Sequence, residues 1–278
     1  MVDDAADAAD EQEVLRADHG AVRVLTINRP HAGNAVSVET RRTLTAEFEE
    51  ASGDPTVRAV LLTAVGNRHF CTGADLRAPQ GLPRPEGVPE RIAGDIARGI
   101  RMNAQRLMAA ILDCEKPVVA AVNGTAAGMG VQLALACDFV LAAESARLIE
   151  VFVRRALVPD AGAAYILPRL IGVHRAKELL MLGDDVSAQR AYDIGLVTRV
   201  VPDAELAAEA FALAERLASG PTRALALTKW LVNRSLDGSR GAAFEDEAIA
   251  QDLNMHTADG QEGLASYVER RPSRYQGW

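Results

Sequence analysis

Apolar and polar positions follow a few distinct patterns along the chain. Residues 21–27 (AVRVLTI) alternate and are rich in β-branched side chains, which predicts a strand. Residues 57–65 (VRAVLLTAV), 117–122 (PVVAAV) and 139–142 (FVLA) are short, nearly unbroken apolar runs of the kind found in buried strands. Helical spacing predicts helices from about Val38 to Ala51, with Ser37 as N-cap, and from Arg91 to Cys114. Another helix begins near Met129 and runs to about Ala136. Beyond Ala161 helical patterns dominate, interrupted by a strand-like 196–201. After Pro202 four helices are predicted: 204–219, 222–236, 242–256 and 259–270. The acidic residues 1–12 read as a disordered leader. The segment 78–90 holds four prolines and reads as a mobile surface loop. The expected organisation is therefore a leader (1–12), a core (13–201) and a helical C-terminal region (202–278).

A unit of strand, glycine loop and helix recurs at 57–76, 117–136 and 148–170, which points to a spiral of related units. The chain has 278 residues, 49% of them hydrophobic, enough to bury a large core. Its formal charge of −8 lacks the basic footprint of a nucleic-acid or anionic-membrane binder. No apolar run approaches a membrane span, and the acidic N-terminus does not look like a signal peptide. Cys71, Cys114 and Cys137 form no CxxC or Cys/His cluster, so neither a disulfide framework nor a metal site is expected. A soluble, cytoplasmic protein is the expectation.

The glycine loops carry the candidate chemistry. Gly124 and Gly128 permit a sharp turn before a helix that begins near Met129, whose free N–H lies at the positive end of the helix dipole. Gly73 similarly frees the N–H of Ala74. Two convergent amides suit a thioester carbonyl as it becomes an enolate, and one such donor is worth roughly 3 kcal/mol of barrier. Taken singly, each loop reads as an ordinary turn.

Together, INRPHAGNA, HFCTGADL and AVNGTAAGMGVQLALACD, followed by VPDAGAAYILPRLIG and RAKELLMLGDDVSAQRAYDIGLVTRVVP, resemble the crotonase (enoyl-CoA hydratase/isomerase) superfamily from about Glu13 to Arg271. The resemblance implies an α/β fold, a crotonase-like spiral of repeated ββα units with a helical C-terminal region used in oligomerisation. It also implies a homotrimer or dimer of trimers acting on acyl-CoA thioesters, with no cofactor beyond the coenzyme A of the substrate. Ala74 and Met129 fall at its oxyanion positions. Ala74, Asp75, Leu76 and Arg77 match its pantetheine-binding segment, and His31 and Ala32 its loop at the nucleotide end. Arg77 reads equally as a phosphate ligand or a solvated arginine. Asp75 reads as a structural tie of the turn, His69 as incidental, Cys71 and Cys137 as core residues, and Lys229 as solvated rather than a CoA ligand.

Classical hydratases of this superfamily use two glutamates, and here those positions hold Gln132 and Phe152. Neither can exchange a proton near neutral pH. Glu150, two residues before Phe152, reads as an exposed or hydrogen-bonded glutamate. Asp160 in VPDAG is the better base, because Phe152, Val158, Tyr165 and Ile166 are expected to surround it and raise its pKa. The competing reading makes Asp160 a helix N-cap. Gln132 is expected to hydrogen-bond substrate or to hold Asp160, and Phe152 to keep the cavity dry. These residues imply an enoyl-CoA isomerase with one carboxylate base. The alternatives are a hydratase pairing Asp160 with Glu150 or another acid, and a non-catalytic acyl-CoA binder.

Overall fold

A computed structural model describes residues 12–77, 86–89 and 92–278. The expected leader and most of the proline-rich segment 78–90 lie outside the described residues. The first hairpin joins β1 (Val14–His19) to β2 (Val22–Ile27) through Gly20, and α1 (Val38–Gly53) follows. Ser37 caps α1 as predicted: its Oγ accepts from Thr40 N at 3.0 Å, and Thr40 Oγ1 accepts from Ser37 N at 3.1 Å. Then come β3 (Ala59–Ala64), β4 (His69–Cys71), α2 (Asp95–Gly99) and α3 (Arg106–Leu112). A π-helical turn, Ile100–Gln105, separates α2 from α3, so the single helix predicted over 91–114 is interrupted.

The middle of the chain supplies β5 (Val118–Val122), β6 (Thr125–Ala127), α4 (Met129–Leu135), β7 (Phe139–Ala143), β8 (Arg147–Ile149) and α5 (Ala163–Leu182). It closes with β9 (Asp185–Ser187), α6 (Ala188–Asp193) and β10 (Arg199–Val201). Four helices end the chain: α7 (Leu206–Ala218), α8 (Thr222–Ser235), α9 (Arg240–Met255) and α10 (Ala258–Glu269).

Two sheets organise these elements. The larger has the order β1-β2-β3-β5-β7-β10, parallel from β2 onward with β1 antiparallel at its edge. Its central strands are apolar throughout because both faces are covered; α7 packs across β3, β5 and β7. The smaller sheet, β4-β6-β8-β9, is built from three-residue strands. Each successive turn of chain thus lays one strand in the large sheet (β3, β5, β7), the next in the small sheet (β4, β6, β8), and then a helix. This is the repeated ββα spiral.

Some predicted features move. β1 has only Val14 buried and runs along an edge, so it shows no apolar alternation and escapes prediction. The strand expected over 196–201 shrinks to Arg199–Val201. Lys229 is not solvated: its Nζ donates to Asp138 Oδ2 and Ile111 O, both at 2.9 Å, and fastens α8 to the core. The three cysteines are free and buried, and burial pushes the Cys71 thiol up to about 11. Among the described residues no helix is long and apolar enough to cross a membrane.

Candidate active site

The ends of β4 and β6 meet where the two glycine loops turn. Val36 bridges Ala74: Val36 N donates to Gly73 O at 2.8 Å and Asp75 N to Val36 O at 3.0 Å. In such a parallel bridge the Ala74 N–H points away from its partner strand. Met129 opens α4, where the first N–H groups have no intrahelical acceptor. Among the described residues neither amide donates to a backbone acceptor. Gly73, at φ +103°, brings the loops together: a Cβ there would stand 3.0 Å from Ala127 O and 3.8 Å from Met129 N. The helix start is held against β4 by Gly130, where a Cβ would lie only 2.8 Å from the Cys71 carbonyl carbon.

The turn is tied from behind. Arg29 Nη2 donates to Asp75 Oδ2 at 2.9 Å, and Asp75 Oδ1 accepts from Arg77 N at 3.1 Å. Arg29 Nε also stands 2.9 Å from Glu13 Oε1, and Glu13 accepts from Ser37 and Thr40. The Arg29 hydrogen bond holds the Asp75 carboxyl below the usual range against the opposing effect of burial. Such a group contributes stability above its unfolded value of about 3.9, and loses it as pH falls through its lower folded value. Asp75→Asn is therefore expected to be less stable than the parent at pH 7. In urea titrations the gap should close as pH falls below about 3.9; a pH-independent gap would show that the charge is immaterial. Leu76, Arg77 and His31 are exposed, Arg77 with 79% of its side chain free, while Ala32 is buried. The Nδ1 of buried-edge His69 finds no partner among the described residues.

Asp160 is half-buried and precedes two left-handed residues, Ala161 at φ +50° and Gly162 at φ +87°. For a fully buried alanine this conformation costs roughly 1–2 kcal/mol. The N-cap of α5 is Gly162, with no side-chain cap, so Asp160 is not the capping residue. Among the described residues its carboxylate makes no hydrogen bond. Burial raises its pKa, and buried Arg41 in the first turns of α1 acts in the opposite direction. Arg41 lies on α1, whose cap Ser37 follows Val36, the bridge partner of Ala74. The apolar enclosure differs from expectation. Val158, in the irregular segment 157–160, is 84% exposed, and Tyr165 turns outward from α5 to donate to Asp237 at 2.7 Å. Phe152 and Ile166 are buried.

Phe152 lies against the turn that precedes Met129: a Cβ on Gly128 would be 3.8 Å from its ring. Gln132 does not hold Asp160. Its Nε2 donates to Glu150 Oε1 at 2.7 Å, and both side chains are buried. Burial pushes the Glu150 carboxyl up to about 8, the Gln132 hydrogen bond opposing it. The sequence offered no sign of this pairing, which the register of β8 on β6 creates.

A spiral of ββα units whose glycine loops meet at the ends of β4 and β6 defines a crotonase-type protein. The chain belongs to the enoyl-CoA hydratase/isomerase family, whose model matches residues 17–277. It is 35% identical to the 1,2-epoxyphenylacetyl-CoA isomerase of Escherichia coli, over 92% of this chain and 95% of that protein. It is likewise 35% identical to the crotonyl-CoA hydratase of Syntrophomonas wolfei, over 91% and 93%. The crystal structure of an enoyl-CoA hydratase from Bacillus anthracis superposes with a TM-score of 0.87 at 34% identity, covering 96% of this chain and all of that one.

Proposed function

We propose that this protein is an acyl-CoA enzyme that shifts a double bond by a single carboxylate base. Asp160 takes a proton from C2 of a 3-enoyl thioester, and the electron pair moves through the conjugated system onto the thioester oxygen. The Ala74 and Met129 amides carry that charge. Protonated Asp160 then returns the proton to C4, leaving the double bond between C2 and C3. No water is consumed. His31, Ala32, Asp75, Leu76 and Arg77 form the coenzyme A side, with Asp75 holding the turn and Arg77, exposed and 3.7 Å from Asp75, able to meet a phosphate.

The observation that carries this reading is the Phe152 ring packed on Gly128. Where hydratases resembling this chain place their second glutamate, it fills the space with hydrocarbon. A hydratase reading is favoured by one feature, buried Glu150 beside Gln132, which could supply a second acid. The relatives' names also lean to the hydratase, as in the crotonyl-CoA hydratase of Syntrophomonas wolfei, with the 1,2-epoxyphenylacetyl-CoA isomerase of Escherichia coli on the other side.

Product analysis in D2O separates these. A 3-enoyl-CoA should become the 2-enoyl ester, with deuterium at C4 only in the fraction where protonated Asp160 exchanges with solvent before returning its proton, and a 2-enoyl-CoA should gain no water. Formation of 3-hydroxyacyl-CoA would favour the hydratase. Tight CoA-ester binding without exchange at any carbon would favour a binding protein.

A further inference from the structure

Two buried polar atoms on the elements around the Met129 turn find no partner among the described residues: Oε1 of Gln132 and Oε2 of Glu150. Gln132 is 0% and Glu150 3% exposed, so each orphan calls for an explanation. They are the free ends of one unit, joined by the 2.7 Å hydrogen bond from Gln132 Nε2 to Glu150 Oε1.

The backbone fixes where this unit sits. β8 runs parallel to β6 with Ala127 opposite Ile149, and Gly128 N donates to Ile149 O at 2.8 Å. Glu150 therefore follows the residue bonded to the amide just before Met129. Gln132 lies three residues beyond Met129 on α4, and helical side chains lean toward the N-terminus. The pair stands at the turn that carries the Met129 N–H.

What Gln132 shows on its other side depends on Glu150. An ionised carboxylate only accepts, so it must bind the amide through N–H and turn Gln132 Oε1 outward. A neutral Glu150 still accepts through its carbonyl oxygen, as in the arrangement seen, but gains an O–H that can donate to Gln132 Oε1, and a half-turn of the amide then points N–H₂ outward. Next to a thioester gaining negative charge, an outward N–H₂ stabilises and an outward carbonyl oxygen repels.

We infer that Glu150 is the positioning residue of Gln132, selecting whether an amide N–H₂ or a carbonyl oxygen faces the acyl group, with the neutral pair as the competent state. The inference rests on the reading that the Ala74 and Met129 amides hold the thioester oxygen. Burial lifts the Glu150 carboxyl to about 8, so the neutral form prevails at pH 7 and is lost as pH rises through that value. The neighbouring elements set no fixed charge against it. α4 and β6 carry none; Arg147 on β8, Arg154 and Arg155 in the next turn, Asp185 on β9 and Arg169, Arg175, Lys177 and Glu178 on α5 are exposed. Arg154 and Asp185 pair with each other at 2.7 Å.

The test needs no turnover. Butyryl-CoA labelled with 13C at its thioester carbonyl is bound to the whole protein, and the carbonyl infrared band is followed from pH 6 to 10. In the parent the band should be shifted from its free position at low pH and relax with a midpoint near pH 8. In Glu150→Gln, whose amide never ionises, the shift should persist across the range, with the affinity for butyryl-CoA at pH 7 within about twofold of the parent. Glu150→Asp, too short for the hydrogen bond, should lose the pH-dependent step. A shifted band that is pH-independent in the parent, or that relaxes identically in Glu150→Gln, overturns the inference alone. A band at its free position in every variant overturns the oxyanion reading as well.

Discussion

Replacing Asp160 with asparagine is expected to lower kcat on a 3-enoyl-CoA by about 10³-fold, within the range a positioned general base supplies. The amide keeps the shape of the side chain but cannot accept the proton. Binding should survive, because the carboxylate makes no hydrogen bond among the described residues, and Tm should stay within a few degrees of the parent. The pH profile gives a second check. Burial raises the Asp160 carboxyl and Arg41 lowers it, burial being the larger effect. The base works ionised, so kcat/KM should fall as pH drops through a value above the ordinary aspartate range. Arg41→Met, removing the opposing cation, should move that acid limb to higher pH. Stopped-flow assays of the three proteins read both effects. An asparagine variant retaining more than a tenth of parental turnover would remove Asp160 from the chemistry.

Gly130→Ala should damage fold and site together. Its added Cβ would stand 2.8 Å from the Cys71 carbonyl carbon and 2.9 Å from the Cys71 Cβ, with the carbonyl oxygen nearer still. Neither neighbour is a flexible side-chain end; one is the backbone of β4 and both lie in the fully buried core. Relief requires α4 to lift from β4, costing about 3 kcal/mol. For a chain of this size that lowers Tm by about 6–12 °C. The same movement withdraws the Met129 amide from Ala74, and a shift near 1 Å can cost about 10²-fold in rate. Gly99→Ala, with open space around it and ordinary backbone, is the matched control and should leave Tm and turnover nearly unchanged. Differential scanning calorimetry with activity measured on the surviving folded fraction separates the two losses. A Gly130→Ala protein as stable and active as the control would show that α4 does not depend on this close approach.

The parts of the fold legible from sequence are those whose signal is local. The unbroken apolar runs of β3, β5 and β7 report burial on both faces, and Ser37 with Thr40 writes its own cap. The recurrent glycine loops expose the spiral, and the three central motifs expose the family. The small sheet is harder to read, because three residues such as those of β4 or β8 carry no period. β1 hides for another reason: an exposed edge strand needs no alternation. At the site, Ala74 and Met129 act through backbone, so their loops show in the glycines around them. The Gln132–Glu150 pair and the reach of Lys229 to Asp138 could not be read, since both are set by how distant segments register. The neighbours expected for Asp160 fail on Val158 and Tyr165, because closeness in sequence does not give closeness in space along the irregular segment 157–160 and the outer face of α5.

The strand at the sheet margin has a further consequence. An unpaired strand edge is a template on which other chains can add and aggregate. Here β1 presents Arg16 and Asp18 to solvent, and Arg16 binds Asp18 at 3.1 Å and Glu50 at 2.7 Å. Fully buried Arg23 binds Asp18 at 3.0 Å and Asp54 at 3.2 Å, anchoring the same lattice of charge. The opposite margin, β10, is three residues long and begins with an exposed Arg199. A chain adding to either side would have to strip water from these ions, so charge at both margins discourages further strand pairing.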